Sequence, residues 1–279
     1  MATEGRHGHR ARKRFGQHFL VDGDIISQII KLVQPRVGEV VVEVGPGLGA
    51  LTTRLVGKLP RVVGVEIDRD LAAVLRKKIP AETFRLIEAD ILRVDWSDLL
   101  REEAGEKLFV VGNLPFNITA PFLFKALEEA DQLRTAILML QREVARRLVA
   151  RPGSKEYGQI TVLLAMRAEI ELHIEVDRRA FRPAPRVDSS VIEIHFAPKP
   201  RFAVRDERHF TTVVRTAFGQ RRKMLRNTLR GLASIDGRDL LPEIAAESGI
   251  EMTRRPEELS VEEFVCLSDA FSVVREQQP

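Results

Sequence analysis

From Glu39 to about residue 140 the chain alternates short, nearly continuous apolar runs with amphipathic stretches, the pattern of strands joined by crossover helices. EVVVEVG (39–45), RVVGVEI (61–67), TFRLIEA (83–89), KLFVVGN (107–113) and TAILML (135–140) predict strands, with helices near 49–58, 69–78 and 119–130. Strands this rich in Val, Ile and Leu are buried on both faces, so they predict a parallel sheet covered on each side. AEIELHIEV (168–176) and SSVIEIHF (189–196) alternate more strictly and suit an antiparallel pair at the sheet edge. The Pro-punctuated APKPR (197–201) ends the strand pattern, and helices are predicted beyond it at about 206–218, 220–232, 238–248 and 260–271. The expected fold is therefore α/β and Rossmann-like, followed by a smaller all-α C-terminal domain.

A chain of 279 residues, 44% of them hydrophobic, has enough apolar surface for one substantial core and a smaller second one. Cys266 is the only cysteine, which excludes a disulfide framework and a cysteine-based zinc site, and no metal is expected. The N-terminal stretch has no apolar signal region and no later segment is apolar for long enough to span a bilayer, so a soluble, cytoplasmic protein without a membrane partner is expected. Net charge is only +4, so its distribution matters more than its sum. Arg6, Arg10, Arg12, Lys13 and Arg14 lie in one acid-free stretch, and residues 1–12 read as a basic arm that orders on a partner. Arg215, Arg221, Arg222, Lys223, Arg226 and Arg230 lie in another. On a helical wheel most of the second group fall on one arc beside Val214, Phe218, Leu225 and Leu229, a stripe to bury beside an arc for phosphates.

VEVGPGLGAL (42–51) passes from strand to helix through Gly45, Gly47 and Gly49, residues that turn tightly and let a ligand approach the main chain. With Ala50 the loop also satisfies the dinucleotide pattern, so alone it does not separate NAD from S-adenosylmethionine. Glu66 ends the second strand, where a carboxylate can accept from both hydroxyls of a ribose. Asp90 follows the third strand, placed to accept from an adenine amine, and Ile67 and Ile91 stand beside these acids to sandwich a purine. Two acids at consecutive strand ends favour adenosine bound without a pyrophosphate. Glu43 is out of place in an apolar strand; it reads equally as a surface-facing residue at the strand end or as a functional one.

GNLPFNI (112–118) puts an amide at the end of the fourth strand, where ligands of open parallel sheets collect. Asn113 offers a neutral acceptor, and Pro115 keeps Leu114 out of helical geometry so that its carbonyl is available as a second. Two neutral acceptors suit an aromatic amine with two N–H bonds, and Phe116 offers a face for a base to stack on, worth about 1–3 kcal/mol. Adenine's exocyclic nitrogen is a poor nucleophile, and such bonds raise its electron density and aim it at a sulfonium methyl. No strong general base is required, because the methylated amine loses its proton to water.

These segments resemble the ribosomal RNA small-subunit adenine dimethyltransferases, and the resemblance runs nearly end to end through RKRFGQHFL, VEVGPGLGALT, GVEIDRDL, EADIL, GNLPFNI, LQREVARRLVA, KEYGQITVL, FRPAPRVDSSVI and AFGQRRKMLRNTL. It implies a class I S-adenosylmethionine-dependent methyltransferase domain over residues 13–198 and an RNA-contacting or ribosome-contacting helical domain over 202–279. It also implies that two adjacent adenosines near the 3′ end of small-subunit rRNA are dimethylated within a ribosomal subunit precursor. Gln17, His18 and Leu20 would close over the cofactor and Gly45 would contact its methionine part. Glu66 and Asp90 would hold ribose and adenine, Asn113 to Phe116 would form the catalytic motif, and Phe181 would be a second aromatic wall; from the residues alone, Phe181 reads as a loop anchor packed on the core. Arg12, Lys13, Arg14, Arg221, Arg222, Lys223 and Arg226 would contact RNA, with a monomer as the default. Two positions depart from the family's usual pattern, His18 for Asn and Phe116 for Tyr. Histidine can still donate a hydrogen bond and phenylalanine keeps the stacking face.

Three other readings fit parts of the chain. An NAD oxidoreductase lacks an acid–base constellation beside NLPF. A large-subunit rRNA methyltransferase of the resistance type is less consistent with FGQRRKMLRNTL. A non-catalytic assembly factor on the same scaffold does not need the intact set Gly45, Glu66, Asp90 and Asn113.

Overall fold

The computed structural model describes residues 17–277, the side chain of Ile235 excepted, so Arg12, Lys13, Arg14 and the basic arm lie outside the described residues. The chain divides into two units, one running to Ala145 and including Ile170–Phe196, the other made of Arg146–Glu169 and the chain from Ala197 onward.

In the first unit the order is β1 (Phe19–Leu20), α1 (Gly23–Leu32), β2 (Glu39–Val44), α2 (Thr52–Leu55), β3 (Val62–Glu66), α3 (Arg69–Lys78), β4 (Phe84–Glu88), α4 (Trp96–Glu102), β5 (Lys107–Asn113), α5 (Thr119–Glu128) and β6 (Leu133–Gln141). Next, α6 (Arg142–Leu148) leads into the second unit and α7 (Gln159–Arg167), and β7 (Ala168–Val176), β8 (Phe181–Arg182) and β9 (Ser189–Phe196) return to the first. The helical remainder holds α8 (Glu207–Phe218), α9 (Leu225–Thr228), a hairpin of β10 (Ser234–Ile235) and β11 (Arg238–Asp239), α10 (Leu241–Ser248) and α11 (Val261–Glu276).

The seven-stranded sheet runs β4-β3-β2-β5-β6-β9-β7, parallel from β4 to β6 with β9 antiparallel to β6. Each predicted strand of the sheet forms. Val42, Val63 and Val110 are all within 1% of full burial, as a sheet covered on both faces requires. The register aligns Val44 with Val65 and with Gly112, and Glu66 with Glu88, so the carboxyl ends of the strands carrying the candidate residues lie along one edge.

Aspartates start several helices by accepting first-turn N–H groups that would otherwise lack a partner. Asp22 Oδ1 accepts from Asp24 and Ile25 to begin α1, Asp95 Oδ1 from Ser97 and Asp98 to begin α4, and Asp206 Oδ1 from Arg208 and His209 to begin α8. The sequence-based expectation omits α1 and α4, although α1 has an amphipathic pattern with Ile26 and Ile29 buried and both helices start at such a cap.

Three expectations need correction. The helix expected at 49–58 is regular only over Thr52–Leu55. Residues 146–169 group with the helical unit, where α7 buries Val162, Leu163, Leu164 and Met166 and packs on α8. The helix expected at 220–232 is reduced to α9, because the N–H groups of Leu225 and Arg226 bond the carbonyls of Arg254 and Met252. Tertiary hydrogen bonds there displace the helical ladder, and the single basic arc drawn through 215–230 does not exist as one helix face.

Close packing of the sheet makes one substitution diagnostic. A methyl group at buried Gly64 would lie 2.6 Å from Phe84 Cε2 and 2.9 Å from Pro46 Cγ. Gly64→Ala is expected to destabilise the fold by about 1–3 kcal/mol, the usual range for overpacking, read as a lower denaturant midpoint with an unchanged slope.

Candidate active site

The carboxyl ends of β2, β3 and β5, the stretch after β4, and the segments around β1 and β8 enclose a cleft of about 330 Å³. Every described residue that the sequence reading assigned to cofactor binding or catalysis lines it: Gln17, His18, Leu20, Gly45, Gly47, Glu66, Ile67, Asp90, Ile91, Asn113, Leu114, Pro115, Phe116 and Phe181.

Gly45 and Gly47 take positive φ, 63° and 61°, which side chains disfavour. At Gly45 a Cβ would meet nothing within 4 Å, so this backbone is open to a close-lying ligand. Gly47 N–H donates to Glu66 Oε2 at 2.9 Å, and Asp68 N–H donates to Glu66 Oε1 at 2.9 Å. The Glu66 carboxylate thus joins the glycine loop to the start of α3. Each of its oxygens keeps one further lone pair, enough for the two hydroxyls of a ribose. Burial raises the Glu66 pKa, against the opposing pull of the Asp68 and Gly47 N–H groups.

Asp90 caps a short 3-10 turn through Oδ1, which accepts from Leu92 N–H at 3.0 Å; Oδ2 has no hydrogen-bond partner among the described residues. Ile67 is 47% exposed and Ile91 buried, an open and a closed apolar wall on the same cleft. Gln17 Nε2 donates to Asp68 Oδ2 at 3.0 Å, which fastens the segment before β1 to the start of α3.

At the tip of β5, Asn113 Nδ2 donates to the His18 carbonyl at 3.0 Å. A carbonyl only accepts, so the amide orientation is fixed and Oδ1 is the atom left over. Ile118 N–H and the Thr119 hydroxyl both bond the Pro115 carbonyl, so the turn closes without using the carbonyl of Leu114. His18 Nδ1 donates to the Pro183 carbonyl at 2.8 Å, and its ring lies 5.8 Å from that of Phe116, centroid to centroid, at 31°. Phe181 borders the cleft but is 1% exposed and packed with Leu20, Ile26 and Val191, because β8 pairs with β1. Its ring is a core element in this structure, and the open aromatic surface is that of Phe116 and His18.

Sequence reasoning missed the bonds from Asn113 to His18, from Gln17 to Asp68 and from His18 to Pro183. Each joins residues at least 51 positions apart, and no local pattern announces them. Glu43 is resolved against its surface reading: it is 2% exposed and lines the cleft. Among the described residues, no group of three or more His, Cys, Asp or Glu is placed to hold a metal ion, and no helix is long and apolar enough to cross a membrane.

In the helical unit, Arg222, Lys223, Arg226 and Arg230 are exposed and form no ion pair among the described residues, while Leu225 and Leu229 are fully buried beneath them. Arg221 is different. Its Nε donates to Glu257 Oε2 at 2.7 Å and its Nη2 bonds the Lys155 carbonyl, so it ties together parts of its own unit and its guanidinium is not presented outward with the others.

A parallel sheet with a glycine loop after its first long strand, acids at the next two strand ends and an antiparallel edge strand defines a Rossmann-like methyltransferase domain. Comparison with known proteins narrows the class. The model of the family described as ribosomal RNA adenine dimethylase matches residues 8–271, and the chain belongs to that family. It is 45% identical over 263 residues to a protein of Bordetella pertussis named ribosomal RNA small subunit methyltransferase A, covering 94% of this chain and 95% of that one. It is 47% identical over 266 residues to a protein of the same name from Bordetella petrii, covering 94% and 96%. Among solved structures, a dimethyladenosine transferase from Plasmodium falciparum shares the fold at a TM-score of 0.76 and 20% identity, over 90% of this chain and 96% of that one. The 23S rRNA methyltransferase ErmE superposes at 0.68 with 27% identity, over 91% and 99%.

The buried carboxyl of Glu43 gives a stability prediction. Burial pushes its pKa from 4.5 up to about 8, against an ordinary carboxylate in the unfolded chain. Its contribution to stability is full below about pH 4.5 and is lost as pH rises through about 8, because the unfolded state ionises first. The melting temperature of the ligand-free protein should therefore fall across that window by more than that of Glu43→Gln, in parallel thermal scans.

Proposed function

We propose that this cleft binds S-adenosylmethionine beside the tip of β5 and receives one adenine extruded from ribosomal RNA. As a member of the ribosomal RNA adenine dimethylase family, the chain is an rRNA adenine dimethyltransferase of the small-subunit type, which dimethylates 16S rRNA adenines. The observation that carries the site assignment is the committed amide of Asn113, whose NH2 is held by the His18 carbonyl and whose Oδ1 is left to accept.

The residues fit the cofactor. Gly45 leaves room for close approach to the backbone, Glu66 has two acceptor positions to spare, and Asp90 Oδ2 with the walls of Ile67 and Ile91 suits an adenine ring. Among the described residues that line the cleft there are three acidic side chains, Glu43, Glu66 and Asp90, and no Lys or Arg, an environment that favours a cationic guest. When bound, the cofactor supplies an electrophilic methyl group on a sulfonium.

The protein's part is orientation. Asn113 Oδ1 and the Leu114 carbonyl accept the two N–H bonds of the target amine, which draws its nitrogen lone pair out of conjugation and directs it inward. Phe116 holds the base by stacking, about 1–3 kcal/mol. Correct alignment of two reactants supplies roughly 7–11 kcal/mol of acceleration, so no protein base is needed to explain turnover. The amine's proton leaves to water after transfer. Because the acceptors are neutral oxygens, a once-methylated amine, still holding one N–H, is accepted again.

Recognition of rRNA falls to the exposed cations of the helical unit, Arg222, Lys223 and Arg226, with Arg12, Lys13 and Arg14 outside the described residues. They contact phosphates and position the enzyme, while the cleft selects the base. Extruding that base costs a few kcal/mol, least where pairing is already weak. The substrate is two adjacent adenosines near the 3′ end of the small-subunit rRNA, in a subunit precursor in the cytoplasm, and the enzyme acts as a monomer. A large-subunit specificity is not favoured: likeness to the small-subunit enzymes is 45–47% identity, against 27% to ErmE.

Asn113→Ala should bind cofactor nearly as well as the parent but lose methyl transfer by a factor of about 100 or more, following the loss of a positioned polar contact in a transition state. Calorimetry for binding and labelled-methyl incorporation into unmethylated small subunits measure the two; near-normal turnover removes Asn113 from its role. Replacing Arg222, Lys223 and Arg226 together by Ala should weaken RNA binding and reduce the slope of log K against log salt by about 2–3. Arg221→Ala should leave that slope unchanged and instead lower the melting temperature.

A further inference from the structure

Glu43 sits at the carboxyl end of β2, two residues before Gly45, and is 2% exposed. Its Oε2 is enclosed and has no hydrogen-bond partner among the described residues; the Thr52 hydroxyl and N–H lie close enough to favour the carboxylate, but by less than burial disfavours it. The register places uncharged residues beside it on both neighbouring strands, Gly64 on β3 and Val111 on β5. The titratable groups that line the same cleft are His18, Glu66 and Asp90, and Glu66 raises the pKa of Glu43 by repulsion. Among the described residues, Lys78 reaches the glycine loop, where its Nζ donates to the Leu48 carbonyl at 3.1 Å. A carboxyl so buried, with no cation beside it among the described residues and Thr52 its only donor, is neutral in the empty protein, since ionisation would leave a buried charge without a counter-charge. A strand end that needed only apolar packing would be served by valine, as at Val42 and Val44.

We propose that Glu43 is the proton-exchanging charge partner of the cationic cofactor: it carries a proton while the cleft is empty, releases it to solvent as the sulfonium enters, and regains it once methyl transfer has left a neutral thioether. The inference rests on the reading that the cleft takes a sulfonium cofactor. The balance is simple, as one O–H bond of Glu43 breaks on binding, the proton passes to buffer, and the carboxylate offsets the ligand's positive charge. Loss of that charge on sulfur makes the ionised carboxyl unfavourable again, so the spent cofactor is held less firmly than the fresh one. Ionisation pushed up to about 8 places this exchange within the working range of a cytoplasmic enzyme.

The test is calorimetric titration of the whole protein with S-adenosylmethionine and separately with S-adenosylhomocysteine, in buffers of different ionisation enthalpy. At about pH 7 the sulfonium should release close to one proton and the thioether markedly less. The preference for sulfonium over thioether should rise about tenfold from about pH 6.5 to about pH 8 and level off above it. Taking the ratio of the two ligands offsets the titration of their common amino-acid end. In Glu43→Gln the ratio should be flat with pH and the difference in proton release absent, with both ligands still bound. Equal proton release for both ligands in the parent protein, or a pH-dependent ratio that survives in Glu43→Gln, overturns the role of Glu43 and leaves the cofactor assignment standing. Failure of both ligands to bind the parent protein overturns the cofactor assignment and this inference together. Should Glu43→Gln prove unfolded, the parent protein's proton count in two buffers decides alone.

Discussion

A single hydrogen bond, from the side-chain amide of Asn113 to the main-chain carbonyl of His18, sets what this cleft can do. It consumes the donor end of the amide and exposes the acceptor end, and it fastens the segment entering β1 over the tip of β5. An amide free to rotate would offer a donor half the time and would not discriminate an amine from a carbonyl. The flanking contacts protect this arrangement. Gln17 is anchored on Asp68, His18 on the Pro183 carbonyl, and Leu20 and Phe181 face each other across the β1–β8 ribbon. Preorganisation of this kind keeps the reorganisation of the site small when a base arrives.

The glycine loop is organised by the same means at the other end of the cleft. Glu66 takes one N–H from Gly47 and one from Asp68, so the loop and the first turn of α3 are held by one carboxylate. Burial penalises that charge, and the two N–H donors oppose the penalty. At Glu43, where Oε2 has no hydrogen-bond partner among the described residues, the opposing pull of Thr52 is outweighed by burial and the pKa is pushed up to about 8. Burial thus raises both glutamates on these adjacent strands, and in both the nearby donors work against it, the Asp68 and Gly47 N–H groups at Glu66 and Thr52 at Glu43.

Much of the sheet was legible in the sequence because its strands are apolar on both faces, and the predicted bounds of β2 to β6 agree with the observed ones to within about two residues. The strand-end residues Glu66, Asp90 and Asn113 were legible because a parallel sheet leaves ligands one edge on which to bind. What stayed hidden depended on distant partners. The break of the expected helix at 220–232 comes from hydrogen bonds to Met252 and Arg254, and the diversion of Arg221 from a cation that reads as RNA-facing comes from Glu257 and Lys155. Phe181 was legible from the residues alone as a loop anchor packed on the core, and it is buried with Leu20 and Val191; its place beside the cleft came only with the family resemblance, and the two-residue ribbon that buries it has no periodicity to detect.

That ribbon also sets a timetable for the nascent enzyme. Its two halves, Phe19–Leu20 and Phe181–Arg182, are separated by most of the first unit, so closure brings together segments that must wait for one another. During synthesis the glycine loop and the tip of β5 exist long before the strand that pins the roof above them has been made. A ribosome must therefore translate about two thirds of this polypeptide before the product acquires a finished pocket.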